Sequence, residues 1–268
     1  MPSPTSQGSS SISPRATSRP ADQSSEATHM PELILRLTGV DIGFAGEEAL
    51  VHEINLEAYA GEVIGLNGVS GIGKTTLLRT LAGLVPPLVG ELEVLGQSDL
   101  SQLPRGSIGY IPQRLGLVHH QTVGYNALMG ALPRASWWQT LLSLPSGEMR
   151  QAARDAVEAV GLSEKMLDPV SLLSGGEQRR VAVARSLVQR PRLLLADECL
   201  GELDETTSEA VAVQLLSLAR EHDTCIVLID HSPARTAALC DRVLNFRRGR
   251  LVEDEPGLIR LPMLGGDN

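Results

Sequence analysis

The stretch Gly68-Val69-Ser70-Gly71-Ile72-Gly73-Lys74-Thr75-Thr76 constrains this chain more than any other. It lies between an apolar run, Val63 to Leu66, and a helical pattern from Thr75 to Leu81 that carries Leu77, Leu78 and Leu81. That order predicts strand, tight loop and helix, the setting a phosphate-binding loop requires. Glycines let backbone N–H groups turn inward around phosphate, and the helix start adds about half a positive charge behind them. Lys74 supplies a full charge for β and γ oxygens, and the Thr75 hydroxyl can join a Mg²⁺ shell. A glycine-rich turn that merely starts a helix is the plainer alternative. The lysine argues against it, because the chain has twenty-one arginines and only two lysines, Lys74 and Lys165. A thin ammonium fits a crowded loop where arginine's rigid fork does not.

A chain of 268 residues, 42% hydrophobic, can bury a sizeable core and hold one large α/β domain or a domain with an insertion. A net charge of -9 argues against a strand-coating nucleic-acid binder. The cysteines, Cys199, Cys225 and Cys240, are odd in number and lack metal-ligand spacing, which fits reduced thiols in a cytosolic compartment. No apolar run approaches the roughly 20 residues that cross a bilayer, so any service to a membrane goes through a partner. Residues 1–30 hold nine serines and four prolines with almost no aliphatic side chain, which predicts a disordered tail. A transit peptide is a second reading, and Met30 is an alternative start. Residues 254–268 read as a C-terminal tail.

From Pro31 the apolar period is two: Leu33, Leu35 and Leu37, then Ile54, Leu56 and Ala58, with a turn at Gly61-Glu62 before Val63. Phe44 falls between the first two expected strands, in a small, polar segment. It can stack on a purine base or cap a sheet end. Gly90 to Leu95 and Ser107 to Ile111 read as further strands, and Pro112 ends the second, leaving Gln113 at a strand terminus. Tyr125 to Leu132 and Glu148 to Val160 have helical spacing, with an irregular stretch from Pro133 to Leu144, so residues 114–172 read as an inserted helical subdomain. Trp137 and Trp138 are adjacent and cannot face the same way in a regular element, which either offers one of them to a partner or places both in a packed loop.

A second constellation begins at Leu173-Ser174-Gly175-Gly176-Glu177, which opens a helix with Val181, Val183, Ala184, Leu187 and Val188 as its buried stripe. Ser174 and Glu177 have the spacing of a capping box. A cap needs no double glycine, however, and the small residues at the tip let a phosphate from another chain approach free N–H groups. Leu193 to Ala196 reads as a central strand running into Asp197-Glu198, where buried carboxylates call for a metal or water. Asp197 would hold Mg²⁺ and Glu198 would orient an attacking water, the plainer alternative being an acidic loop facing solvent. Cys225 to Ile229 reads as another buried strand ending at Asp230-His231, where the histidine can reach a γ-phosphate or simply face solvent.

Together these residues resemble the nucleotide-binding subunit of ATP-binding-cassette transporters, from Leu33 to about Glu253. Gly68 to Thr75 matches the Walker A loop, Phe44 the adenine-stacking aromatic and Gln113 the Q-loop glutamine. Leu173 to Glu177 matches the LSGGQ signature, with Glu177 for glutamine. Asp197 and Glu198 match the Walker B aspartate and catalytic glutamate, Gly201-Glu202-Leu203-Asp204 the D-loop, and His231 the switch histidine. The resemblance implies an α/β fold, a RecA-like P-loop NTPase core with an antiparallel β subdomain and an inserted α-helical subdomain. ATP and Mg²⁺ are the implied ligands. Gly68, Val69, Ser70, Gly71, Ile72, Gly73, Lys74, Thr75 and Thr76 would hold nucleotide in one subunit, and Ser174, Gly175, Gly176 and Glu177 in its twin. Thr75, Gln113 and Asp197 would hold the metal, and Lys74, Gln113, Glu198 and His231 would act on the phosphate.

Implied partners are a second copy, membrane permease subunits met by residues 114–172 and the Gln113 loop, and an external solute-binding protein, with the chain peripheral on the cytoplasmic face. The wording of Asn126 to Gly161 and Leu195 to Glu198 looks like phosphonate-type importers, whereas lipoprotein-release and macrolide-type exporters share the latter. A soluble cassette ATPase without a permease is the other class. Cys199 where the family has proline, Gly201-Glu202 in the D-loop, and Asp230 and Ser232 beside His231 depart from the common pattern.

Overall fold

The computed structural model describes residues 31–134, 145–201 and 203–253. The segments 1–30 and 254–268 that read as tails, with Trp137, Trp138 and Glu202, lie outside the described residues. Two sheets form. Strands β1 (Leu33–Ile42), β2 (Val51–Tyr59) and β4 (Val89–Val94) pair antiparallel in the order β2-β1-β4. The main sheet runs β5-β6-β7-β3-β8-β9, comprising β3 (Val63–Asn67), β5 (Ile108–Ile111), β6 (Leu193–Asp197), β7 (Cys225–Ile229), β8 (Arg242–Arg247) and β9 (Arg250–Glu253). It is parallel except for β9.

The unbroken apolar runs of β6 and β7 follow from burial on both faces. Side chains alternate across a strand. Leu193, Leu195, Cys225, Val227 and Ile229 therefore enter one core with Ile64, Leu66 and the antiparallel sheet. Leu194, Ala196, Ile226 and Leu228 enter the other, which holds most of the helices. Helix α1 (Lys74–Leu81) lies in the first core through Leu77, Leu78 and Leu81. Helices α2 (Val123–Leu128), α3 (Gly147–Ala159), α4 (Gly175–Gln189) and α5 (Glu205–His222) contribute to the second. A short helix α6 (Pro233–Leu239) follows β7.

The helical pattern of Tyr125 to Leu132 is divided in the structure: α2 ends at Leu128 and a 3₁₀ turn continues through Met129–Arg134. Pro133 has no N–H to donate to an α-helical ladder. The sequence patterning above does not mark α5, α6, β8 or β9.

The parallel order brings the carboxyl ends of β3, β5, β6 and β7 to one edge, the place where open α/β sheets bind ligands. Leu66 of β3 pairs with Ile229 of β7, Asp197 of β6 pairs with that same Ile229, and Ile111 of β5 pairs with Ala196. Residues just past these ends share the edge. The fit behind β3 is close: a Cβ on Gly65 would stand 2.1 Å from Thr236 Cγ2 and 2.9 Å from Cys240 Sγ. Gly65→Ala is expected to destabilise the fold by about 1–3 kcal/mol of overpacking, read as a lower midpoint of denaturant unfolding. An unchanged midpoint would show that α6 packs less closely on β3 than described.

Candidate functional site

The phosphate loop leaves β3 at Asn67 and reaches α1 through Gly73, the N-cap, at φ 112°. This left-handed backbone suits glycine. A side chain there would also meet β2, with a Cβ 3.1 Å from Val51 Cγ2 and 3.8 Å from Ile42 Cδ1. The ends of β1 and β2 thus pack on the loop, and Phe44, two residues past β1, is 48% exposed. Lys74 is 7% exposed, and its Nζ donates to the carbonyls of Gly68 at 2.6 Å and Val69 at 3.0 Å. Burial lowers its pKa, opposed by the Glu198 and Asp197 carboxylates.

Asp197 ends β6 and is 1% exposed. Neither carboxylate oxygen has a hydrogen-bond partner of good geometry. Burial raises its pKa, Glu198 adds to the rise, and the facing Thr75 hydroxyl, Lys74 and His231 oppose it. An orphaned buried carboxylate is costly unless a cation meets it. A carboxylate beside a hydroxyl is an oxygen donor set of the kind Mg²⁺ takes, so these residues fit that metal.

Glu198 follows with φ 55°, left-handed and uncommon for a residue with a side chain. Such strain is of order 1–3 kcal/mol and clusters where geometry serves a site. The turn aims the carboxylate between two other strand ends. Gln113 Nε2, past β5, donates to Glu198 Oε2 at 2.9 Å. His231 Nε2, past β7, lies 2.7 Å from Glu198 Oε1. Two residues that each read singly as plain loop positions therefore meet on one carboxylate.

The second constellation lies at the start of α4. Ser174 caps the helix, its Oγ accepting from Glu177 N while Glu177 returns a bond to the cap. Ser174 and Gly175 are exposed, and Gly176 is half-buried. They line a groove with Arg180, Leu203, Asp204 and Thr207. The tip thus faces outward. Lys165 reaches it, with Nζ 2.5 Å from Glu177 Oε1. That ammonium first, and the Ser174 N–H next, hold the Glu177 carboxyl down to about 2.

Sequence reasoning missed Arg235. Asp230, buried with 5% exposure, departs from the family pattern, and Arg235 Nε stands 3.0 Å from its Oδ2. The same guanidinium donates to the Leu200 carbonyl at 3.2 Å and the Ser208 hydroxyl at 2.5 Å. A buried acid at a strand end calls for a nearby cation, and the arginine in the first turn of α6 was the available signal. Cys199 is buried, and burial pushes its thiol up to about 12, so it is an inert core group.

The family described as "ABC transporter" matches residues 51–201. The phosphonates import ATP-binding protein PhnC of Stutzerimonas stutzeri is 36% identical over 234 residues, covering 83% of this chain and 84% of the relative. PhnC of Escherichia coli strain K12 is 33% identical, covering 83% and 89%. This chain belongs to the ABC transporter family. A solved dimeric bacterial ABC transporter cassette superposes with a TM-score of 0.73 at 27% identity, covering 84% of this chain and 100% of that one. A dimeric cassette in a post-hydrolysis state, bound to ADP and phosphate, does so at 0.72 and 27%, with the same coverage. The chain is an ABC ATPase, the nucleotide-binding subunit of a transporter. The fold is that of a P-loop cassette with α/β layers.

Arg235→Met is expected to leave Asp230 buried without its cation and to cost about 2–3 kcal/mol, the loss being less than for a fully buried pair because Arg235 is partly exposed. Thermal unfolding measures this, and Asp230→Asn in the same chain should recover part of the loss. An Arg235→Met protein as stable as the wild type would contradict the pairing.

Proposed function

We propose that two copies of this chain enclose two ATP molecules, each gripped by Gly68 to Thr76 of one subunit and by Ser174 to Glu177 of the other. The observation that carries this reading is the Glu198 carboxylate, held between Gln113 and His231 at the sheet edge, one residue beyond the orphaned Asp197. Lys74 and the α1 start take the β and γ oxygens. Phe44 stacks on the adenine, for which its exposure leaves it free. Asp197 and Thr75 would hold Mg²⁺ with Gln113 as a further oxygen ligand, and the ion when bound would supply positive charge against the phosphates. Glu198 orients the attacking water and draws on its proton, while His231 holds that carboxylate and meets the γ-phosphate. The exposed tip supports the second half of the grip, because one lysine and one helix start cover a single side of a triphosphate.

The relatives' names support phosphonate import as the transport task. Residues 114–172 and the Gln113 loop receive the permease, so that loss of the γ-phosphate contact becomes a domain movement. No helix among the described residues is long and apolar enough to cross a membrane, which agrees with a peripheral place on the cytoplasmic face through permease subunits. An external solute-binding protein would deliver cargo.

Glu198→Gln is expected to keep ATP binding, lose hydrolysis by about 10²–10⁴-fold and accumulate as an ATP-bound dimer in sedimentation. Turnover at the wild-type rate would contradict the assignment. Uptake of a labelled alkylphosphonate by cells of the native host should fall with the same substitution, and undiminished uptake would exclude that cargo. Lys74→Ala is expected to lose nucleotide binding in an equilibrium titration with labelled ATP, and retained affinity would remove the lysine from the site.

A further inference from the structure

Glu177 puts a carboxylate where the family signature has a neutral glutamine, at the tip proposed to meet the neighbour's triphosphate. Its Oε2 accepts from Ser174 N at 2.9 Å and Ser174 Oγ at 3.0 Å. A lone negative charge here would repel an incoming polyanion and oppose the partial positive charge of the α4 start. It would also grip the serine hydroxyl that has to turn toward phosphate. The Lys165 ammonium first, and the Ser174 N–H next, hold this carboxyl down to about 2, which keeps it ionised near neutral pH.

Lys165 occupies the other oxygen at 2.5 Å, from the end of the 3₁₀ turn Ser163–Lys165. It is the only lysine outside the phosphate loop, in a chain that otherwise uses arginine. A compact ammonium can engage one carboxylate oxygen and leave the second to the cap, whereas a guanidinium fork favours taking both. We infer that Lys165 is a positioning residue for ATP-driven pairing of two cassettes: by neutralising Glu177 it keeps the Ser174-Gly175-Gly176 tip receptive to the partner's triphosphate. This rests on the cross-subunit grip proposed above.

The test uses full-length chains carrying Lys165→Met, Glu177→Gln or both, each assayed for ATP dependence of hydrolysis and, in a Glu198→Gln background, for ATP-dependent dimerisation. Lys165→Met is expected to raise the ATP concentration for half-maximal rate about tenfold at low salt, with the maximal rate little changed. The deficit should shrink toward 1 M salt, because screening weakens partly exposed charges. The double variant should return to the Glu177→Gln value, since glutamine keeps the cap and removes the charge that Lys165 opposes. A packing role for Lys165 would respond neither to salt nor to Glu177→Gln. If the Glu198→Gln chain with Lys165 intact dimerises with ATP and its Lys165→Met counterpart does so equally, or the Lys165→Met deficit survives Glu177→Gln, the inference fails alone. If the Glu198→Gln chain with Lys165 intact does not dimerise with ATP at any concentration, the cross-subunit grip fails and the inference fails with it.

Discussion

The site depends on two buried charges of opposite sign at one edge of a parallel sheet. Lys74 donates to the loop's own carbonyls at Gly68 and Val69 and is attracted by the Glu198 and Asp197 carboxylates, and Asp197 has no hydrogen-bond partner of good geometry among the described residues. Burying unpaired charge is among the most expensive things a fold can do. In the proposed reading a polyphosphate meets the ammonium and a divalent cation meets the carboxylate. The two cores bury β6 and β7 on both faces, so packing holds the strand ends that carry these residues.

Much of this was legible in the residues because the signals are local. The strand–loop–helix order around Lys74, the doubly covered runs ending at Asp197 and Ile229, and the capping box at Ser174 all depend on neighbours in sequence. What remained illegible needs distant segments. Gln113 and His231 are ordinary loop residues until β5 and β7 flank β6 and bring both onto Glu198, from 85 and 33 positions away. Arg235 is likewise a surface-type residue until the burial of Asp230 gives it a task. Helices α5 and α6 escaped because β-strand runs and motifs around them carried the stronger patterns. The early end of α2 reflects Pro133, whose effect on the preceding turns a periodicity count does not weigh.

Two departures from the family pattern, Asp230 and Glu177, are each met by a nearby cation. Asp230 brings a charge into the core and is met by a guanidinium that also ties Leu200 and Ser208. Glu177 brings a charge to the α4 tip and is met by Lys165. In both places a neutral residue has become an acid and a cation stands within reach. Each acid is thereby neutralised locally while the side chains differ.

The central claim is that each triphosphate is shared between two chains. A photoreactive γ-substituted ATP, bound to a mixture of light wild-type subunits and heavy-isotope Lys74→Ala subunits, tests it directly. The Lys74→Ala chain cannot hold nucleotide in its own loop, so the account predicts label on its Ser174–Glu177 segment, donated by ATP bound to a light partner. Label confined to the light subunits would contradict a grip from both sides.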